Sequence, residues 1–171
     1  MTLNFQKKLV LALNEIDFKE EYHEFIVHEQ EEILDKERHV DFLDKYGEAK
    51  WGVVEILNSR YSTILNDKFD LYHWLNHNTR DEVAYFLSEA GANCLNYSLF
   101  RAPHKFHLWL GANGFVIGIG QKGKGFSAVE VEKNNIRTHE GAAFDFFRKC
   151  NSEIFFDDAN SAKVVYLKAM F

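Results

Sequence analysis

The sequence is poor in cysteine and in positive charge, and both shortages narrow the class of protein. It contains only Cys94 and Cys150, which are too few for a disulfide framework and too far apart for a zinc knuckle. We therefore expect a protein of a reducing compartment, the cytoplasm. The 20 Lys and Arg are outnumbered by 26 Asp and Glu, which gives a net charge of −6. Because nucleic acids are bound through clustered cations, we do not expect nucleic-acid binding.

Long apolar runs and proline are also scarce. No segment approaches the roughly 18 consecutive apolar residues needed to cross a bilayer, so we expect neither membrane insertion nor export. The only proline is Pro103, and a helix that precedes it must end before it. Apolar side chains are abundant, because hydrophobic residues make up 46% and aromatic residues 15% of the 171 residues. This composition predicts one globular domain with a buried core.

Negative charge is concentrated towards the N-terminus. From Asp17 to Lys50 there are 12 acidic and 5 basic residues, a net of −7 that leaves +1 for the rest of the chain. Within this stretch apolar residues recur at helical spacing, namely Phe25, Ile26, Ile33, Val40 and Leu43. We therefore predict that residues 1–48 form an acidic, amphipathic helical extension ahead of a domain over residues 49–171. Burial of the apolar stripe would hold this extension on the domain or pair two chains as a homodimer.

Signals in the remaining part of the chain alternate between helix and strand. Residues 51–57 favour a strand and residues 69–75 a helix. Thr79 and Glu82 have the spacing of a capping box, so the next helix is predicted to begin there. The elements predicted after it are strands over 106–110 and 115–119 joined by an Asn-Gly turn, a helix from Gly141, and a closing hairpin over 153–167. This order predicts an α+β two-layer sandwich, with helices on one face of a mixed, mostly antiparallel sheet.

This order of elements, together with three short motifs, resembles the GHKL superfamily of ATPases and kinases. The family's Glu-x-x-x-Asn is similar to Glu89-Ala-Gly-Ala-Asn93, and its Asp-x-Gly-x-Gly is similar to Gln121-Lys-Gly-Lys-Gly125. A later glycine motif of the family resembles the segment that begins at Gly141. The chain looks most like the anti-sigma-factor serine kinases and the histidine-kinase ATPase domains, over roughly residues 79–171.

The resemblance implies a site for Mg-ATP. Glu89 would be the catalytic base, and the amide oxygen of Asn93 would be the ligand of the magnesium ion. Positions i and i+4 of a helix point the same way, so one turn presents both groups. Cofactor binding is accordingly expected at Asn93, Gln121, Gly123, Gly125 and Gly141, where glycines let the backbone approach phosphate.

Three positions depart from the pattern of the family. Tyr97 stands where the family usually has a basic or imidazole residue, four after the asparagine. Gln121 stands where the family has the aspartate that accepts a hydrogen bond from the adenine amino group. Its amide oxygen still accepts but carries no charge. Ala143 stands where the family has the second glycine of the later motif, so its methyl group is expected to lie near the phosphates.

Simpler interpretations exist for every motif. Glu89 and Asn93 fit the polar flank of an amphipathic helix, and the glycines fit ordinary turns. His73 and His77 have the spacing of a metal-binding pair, although a solvated surface pair is favoured. Both cysteines fall on apolar stripes, where a free thiol behaves as a small hydrophobe.

Two functions follow from these observations. The first is a small cytoplasmic regulatory protein with a histidine-kinase-like ATPase fold, which binds Mg-ATP and acts as a protein kinase or ATPase on a partner protein. The alternative is a non-catalytic interaction module that keeps the fold and has lost nucleotide binding. Gln121 and Ala143 favour the alternative, and both functions require a protein partner.

Overall fold

The frame of the protein is a six-stranded sheet, seen here in a computed structural model. The structure describes residues 2–29, 36–76, 80–97, 103–138 and 141–171, with the backbone alone for 36–42 and 94–97. In chain order the elements are β1 (Leu3–Asn4), α1 (Leu9–Glu15), β2 (Phe18–Ile26), α2 (Lys36–Arg60), α3 (Tyr72–Leu75), α4 (Glu82–Tyr97), β3 (Pro103–Gly111), β4 (Gly114–Gln121), α5 (Ala128–Thr138), α6 (Ala142–Lys149), β5 (Glu153–Phe156) and β6 (Val164–Met170). None of these helices is long and apolar enough to cross a bilayer.

The strands are ordered β1-β5-β6-β4-β3-β2 across the sheet. β1 runs parallel to β5, and every other neighbouring pair is antiparallel. β3 and β4 form the hairpin predicted around the Asn-Gly turn, and β5 and β6 form the predicted closing hairpin. The α+β class and the mixed, mostly antiparallel sheet expected from the sequence are therefore confirmed.

The larger core lies between the sheet and the helices α2, α4, α5 and α6. Strand residues such as Ile117 and Leu167 point into it. The largest side chains that are completely enclosed there are Leu57, Tyr61, Phe86, Leu87, Phe106, Leu108, Phe115 and Phe147. Burying each of these side chains stabilises the fold by about 1.5–3 kcal/mol, so this layer fixes where α4 and β4 lie.

A smaller core lies on the opposite face of the sheet. Successive side chains of a strand point to opposite faces, so Val116 points away from the core that contains Ile117. Ala12 of α1 and Ile16, which follows the helix, pack against Val116, Phe155 and Tyr166 there. α1 therefore covers part of the second face, and α2, α4, α5 and α6 cover the first.

The N-terminal segment contributes strands as well as the predicted helix. Phe25 and Ile26 lie in β2, which pairs antiparallel with β3, so their assignment to one helical stripe is wrong. They point to opposite faces of the sheet, and Ile26 is 46% exposed. Ile33 lies outside the described residues, as does the side chain of Val40. The predicted boundary between residues 48 and 49 falls inside α2, because the helix continues to Arg60.

Residues 51–57, which favour a strand by composition, also belong to α2. Ala49, Val53 and Leu57 recur every four residues and are almost completely buried. β-branched side chains lower helix propensity only slightly, so burial of this face decides the conformation.

α4 begins with a different cap from the one predicted. Thr79 lies outside the described residues, and Asp81 caps the helix, because its Oδ1 accepts the backbone N–H of Ala84 at 3.0 Å. Glu82 reaches across to the loop before β5, where its Oε2 accepts the backbone N–H and the hydroxyl of Ser152 at 2.9 and 2.6 Å. These two carboxylates anchor the start of the helix that carries Glu89.

α5 was not expected from the sequence. Ser127 precedes it, and the hydroxyl oxygen of Ser127 accepts the backbone N–H of Glu130 at 3.2 Å. Ser-x-x-Glu is the spacing of a capping box, so a local signal for this helix was present.

Candidate functional site

Asn93 and Gln121, two of the predicted site residues, line one cavity between α4 and the sheet. Its lining residues are Ala90, Asn93, Ile119, Gln121, Phe126, Phe147, Lys163 and Val165. The volume open to the centre of a water molecule is about 20 Å³. Since one water needs roughly 10–15 Å³ of such volume, the cavity has room for about one water in this conformation.

The sequence brings these two residues together through the register of the sheet. Gln121 is the last residue of β4, and the residue before it, Gly120, pairs with Val164 at the start of β6. Ala90 and Asn93 are three residues apart on α4 and therefore lie on one side of that helix. That side faces the end of β4, so the cavity forms where the strand leaves the core.

Gln121 is the polar group of most interest in the cavity. Only 8% of the surface of this residue is exposed. Nε2 donates to the carbonyl oxygen of Ala162 at 3.4 Å, whereas Oε1 has no hydrogen-bond partner among the described residues. A buried amide oxygen without a partner is an acceptor that a ligand can satisfy.

The loop after β4 holds Gly123 and Gly125, which both have positive φ, 123° and 76°. A side chain on Gly125 would bring its Cβ within 2.7 Å of the carbonyl oxygen of Ala162. Phe126 and Ala162 exchange backbone hydrogen bonds of 3.0 and 2.7 Å. Glycine is therefore needed at 125 for the close approach of two backbone segments within the protein.

Gly141 lies directly before α6 with φ of 98°, a conformation that favours glycine. Its carbonyl oxygen accepts the side-chain amide of Asn135 at 2.8 Å, which ties α5 to α6. Ala143 is 3% exposed and packs in the larger core, so its methyl group serves helix packing.

Glu89 is engaged elsewhere. Its Oε1 accepts the indole N–H of Trp74 at 3.1 Å, and Glu89 is not among the residues that line the cavity. Asn93, one turn further along α4, does line it. The structure therefore brings Asn93 and Gln121 together and holds the Glu89 carboxylate at α3.

The other residues that suggested chemistry have structural contacts. His73 Nδ1 lies 2.8 Å from Asp81 Oδ2, and His77 lies outside the described residues. Among the described residues no group of His, Cys, Asp and Glu side chains is arranged to hold a metal ion. Burial raises the pKa of the Cys150 thiol to about 12, which makes it a poor nucleophile. Nothing is described of the Cys94 side chain.

An aromatic cluster on the second face of the sheet was missed from the sequence. Tyr22, His107 and Trp109 pack together with ring centroids 5.2–6.0 Å apart. Tyr22 Oη lies 2.6 Å from His107 Nδ1 and donates to Glu24 at 2.9 Å. Burial lowers the pKa of His107 below its ordinary value. Alternation of aromatic residues along β3 was the available signal for it.

Comparison with known proteins does not place the chain in a family. No family model matches the sequence, and no curated protein matches it.

Proposed function

We propose that the protein is a small cytoplasmic regulatory protein with a histidine-kinase-like ATPase fold, which binds Mg-ATP and acts as a protein kinase or ATPase on a partner protein. One observation carries the proposal. Gln121 Oε1 is buried, has no partner among the described residues, and belongs to the cavity that Asn93 also lines. Leaving a buried acceptor unsatisfied costs about 1–3 kcal/mol, so a ligand that donates to it gains affinity.

Individual groups that line the cavity could contact the base and the metal of Mg-ATP. An adenine amino group can donate to Gln121 Oε1, and Ile119, Phe126 and Val165 offer apolar contacts to a planar ring. An amide oxygen such as that of Asn93 suits magnesium. Bound Mg-ATP would supply a transferable phosphoryl group, and Glu89 would accept a proton from the attacking hydroxyl or water.

The size of the cavity sets a condition on binding. About 20 Å³ holds a water molecule and is far too small for a purine ring. Nucleotide binding therefore requires the cavity to widen, and we expect the loop that contains Gly123 and Gly125 to move. The same loop carries Phe126, whose ring lines the cavity.

The alternative, a non-catalytic interaction module, is favoured by a specific observation. The cavity is too small for a nucleotide, and the proposed base is hydrogen bonded to Trp74. Large apolar side chains are also exposed on α2 and α3. Trp51 is 37%, Tyr72 59% and Leu75 58% exposed. Such residues suit a protein partner. Pairing of two chains through the N-terminal helices remains a prediction.

Calorimetric titration of the full chain with Mg-ATP and Mg-ADP tests the proposal. We expect the wild type to bind and Gln121→Leu to lose at least tenfold in affinity, because the leucine has no acceptor for the base. Gln6→Leu is the matched control, since Gln6 is exposed and does not line the cavity. Absence of heat from the wild type would contradict nucleotide binding and leave the interaction module.

A further inference from the structure

α1 covers part of the second face of the sheet, and the aromatic cluster lies beside that part. Tyr22 is 39% exposed, and His107 and Trp109 are each partly exposed. Tyr22 pairs with Trp109 across β2 and β3, so their side chains lie next to each other on this face. Aromatic rings with polar atoms at their edges are suited to binding, because they bury a large area and still form hydrogen bonds.

The hydrogen bonds of the cluster determine which nitrogen of His107 is an acceptor. A phenol has one proton, and Tyr22 donates it to Glu24 Oε2 at 2.9 Å. The 2.6 Å contact between Tyr22 Oη and His107 Nδ1 therefore needs a proton on Nδ1. In a neutral imidazole the other nitrogen, Nε2, is then an acceptor. Burial lowers the pKa of His107, which favours the neutral ring.

Nε2 of His107 borders a notch in the surface of the sheet at Gly120. Gly118 and Gly120 lie on the second face in β4, between the side chains of β3 and β6. A Cβ atom added at Gly120 would lie 3.7 Å from His107 Nε2 and 3.6 Å from Val164 Cγ2, which is ordinary van der Waals contact. A ligand group of the size of a hydroxyl can therefore enter the notch and reach Nε2.

The charges beside the cluster favour a neutral ligand. Glu24 Oε1 is paired with Lys105 Nζ at 2.8 Å, so the carboxylate and the ammonium group neutralise each other. Nucleic acids depend on clustered cations for affinity, and the chain carries a net charge of −6, so they are disfavoured here. A neutral carbohydrate needs no cation. It presents C–H groups to the faces of aromatic rings, and its hydroxyl groups both donate and accept hydrogen bonds.

We propose that this surface binds a neutral carbohydrate, whose ring packs on the aromatic cluster while one hydroxyl group donates to His107 Nε2 from the notch at Gly120. A second hydroxyl group can donate to the carboxylate of Glu24. The surface lies on the opposite face of the sheet from the cavity that Gln121 lines, because Gly120 and Ile119 point to opposite faces. The inference therefore goes beyond the proposed function and does not depend on it.

Ligand-observed NMR and calorimetric titration of the full chain test the site. The probes are the methyl glycosides of glucose, galactose, mannose and N-acetylglucosamine, with adenosine monophosphate as the nucleotide probe. Tyr22→Leu removes an exposed ring of the cluster, and Tyr72→Leu is its control, since Tyr72 is exposed on α3. Gly120→Ala fills the notch without strain, because the added Cβ meets only ordinary contacts. Gly47→Ala, in α2, is its control. Circular dichroism verifies that each variant is folded.

We expect at least one glycoside to bind the wild type, and Tyr22→Leu and Gly120→Ala each to lose roughly tenfold in affinity, because each removes a main contact. The two controls should retain the affinity of the wild type. Absence of binding by every glycoside overturns the proposal, as does an equal loss in the test variants and their controls. Binding of adenosine monophosphate that Tyr22→Leu removes, without binding of a glycoside, assigns the surface to nucleotides and overturns it too. None of these results decides whether Gln121 takes part in binding Mg-ATP, so the two proposals fail separately.

Discussion

Replacing Tyr61 with phenylalanine removes a single oxygen atom that joins α2 to the β3–β4 hairpin. Tyr61 follows α2 directly and is 1% exposed. Its hydroxyl group lies 2.9 Å from the carbonyl oxygen of Gly111 and 3.0 Å from that of Gly114, and accepts the backbone N–H of Gly111 at 3.1 Å. Burial raises the pKa of Tyr61 to about 12, so the hydroxyl stays neutral.

The expected loss can be worked out from these contacts. Phenylalanine fills the same space, so the packing of the ring on Phe115 is kept. The variant loses one donated hydrogen bond and leaves the N–H of Gly111 buried without an acceptor. Together these changes lower the free energy of unfolding by about 2–3 kcal/mol. For a chain of this length that corresponds to a fall in Tm of roughly 4–12 °C.

Urea unfolding followed by circular dichroism measures the effect. Tyr72→Phe is the control, because Tyr72 is 59% exposed and should change the free energy of unfolding by less than about 0.5 kcal/mol. If Tyr61→Phe is as stable as Tyr72→Phe, the hydroxyl group does not join the helix to the hairpin as the structure shows.

Two further tests, each with its own control, concern the loop after β4 and the ion pair between Glu15 and Lys168. Gly125→Ala should destabilise the fold by about 3 kcal/mol, because φ is 76° and the added Cβ would lie 2.7 Å from a carbonyl oxygen. Gly47→Ala in α2 should stabilise the fold by about 1 kcal/mol, because the added Cβ would meet nothing within 4 Å. Equal urea midpoints for the two variants would contradict this. Hydrogen bonds, above all that from Lys168, hold the pKa of Glu15 below its ordinary 4.5. This carboxylate therefore stabilises the fold above pH 4.5, and the stabilisation is lost as the pH falls through the lower pKa of the folded state. Lys168→Met should therefore reduce the loss of unfolding free energy as the pH falls below 5. The control Lys133→Met, which removes an exposed ion pair, should not.

Local signals were sufficient for the second part of the sheet. β3 and β4 show strand alternation around an Asn-Gly turn, and Gly141 marks the start of α6. These elements follow each other closely along the chain, so their order also determines which of them pack together. That order is enough to bring Asn93 and Gln121 to one cavity.

Non-local contacts decided the features that the sequence did not reveal. β2 is an edge strand with polar side chains on both faces, so only its pairing with β3 distinguishes it from a helix. The valines of α2 favour a strand locally, and burial against the sheet makes them helical. The bond from Trp74 to Glu89 joins two helices, and a spacing rule within α4 cannot predict it.

Both edges of the sheet come from the first 26 residues, since β1 and β2 are its outermost strands. Leu3 pairs with Ile154, so on the ribosome β1 waits for a partner made roughly 150 residues later. At about 5–20 residues per second that delay lasts roughly 8–30 s. During synthesis β1 therefore emerges well before the strand with which it pairs. β1 can complete its edge of the sheet only after β5 has been made, and a chain without β1 would expose the edge of β5.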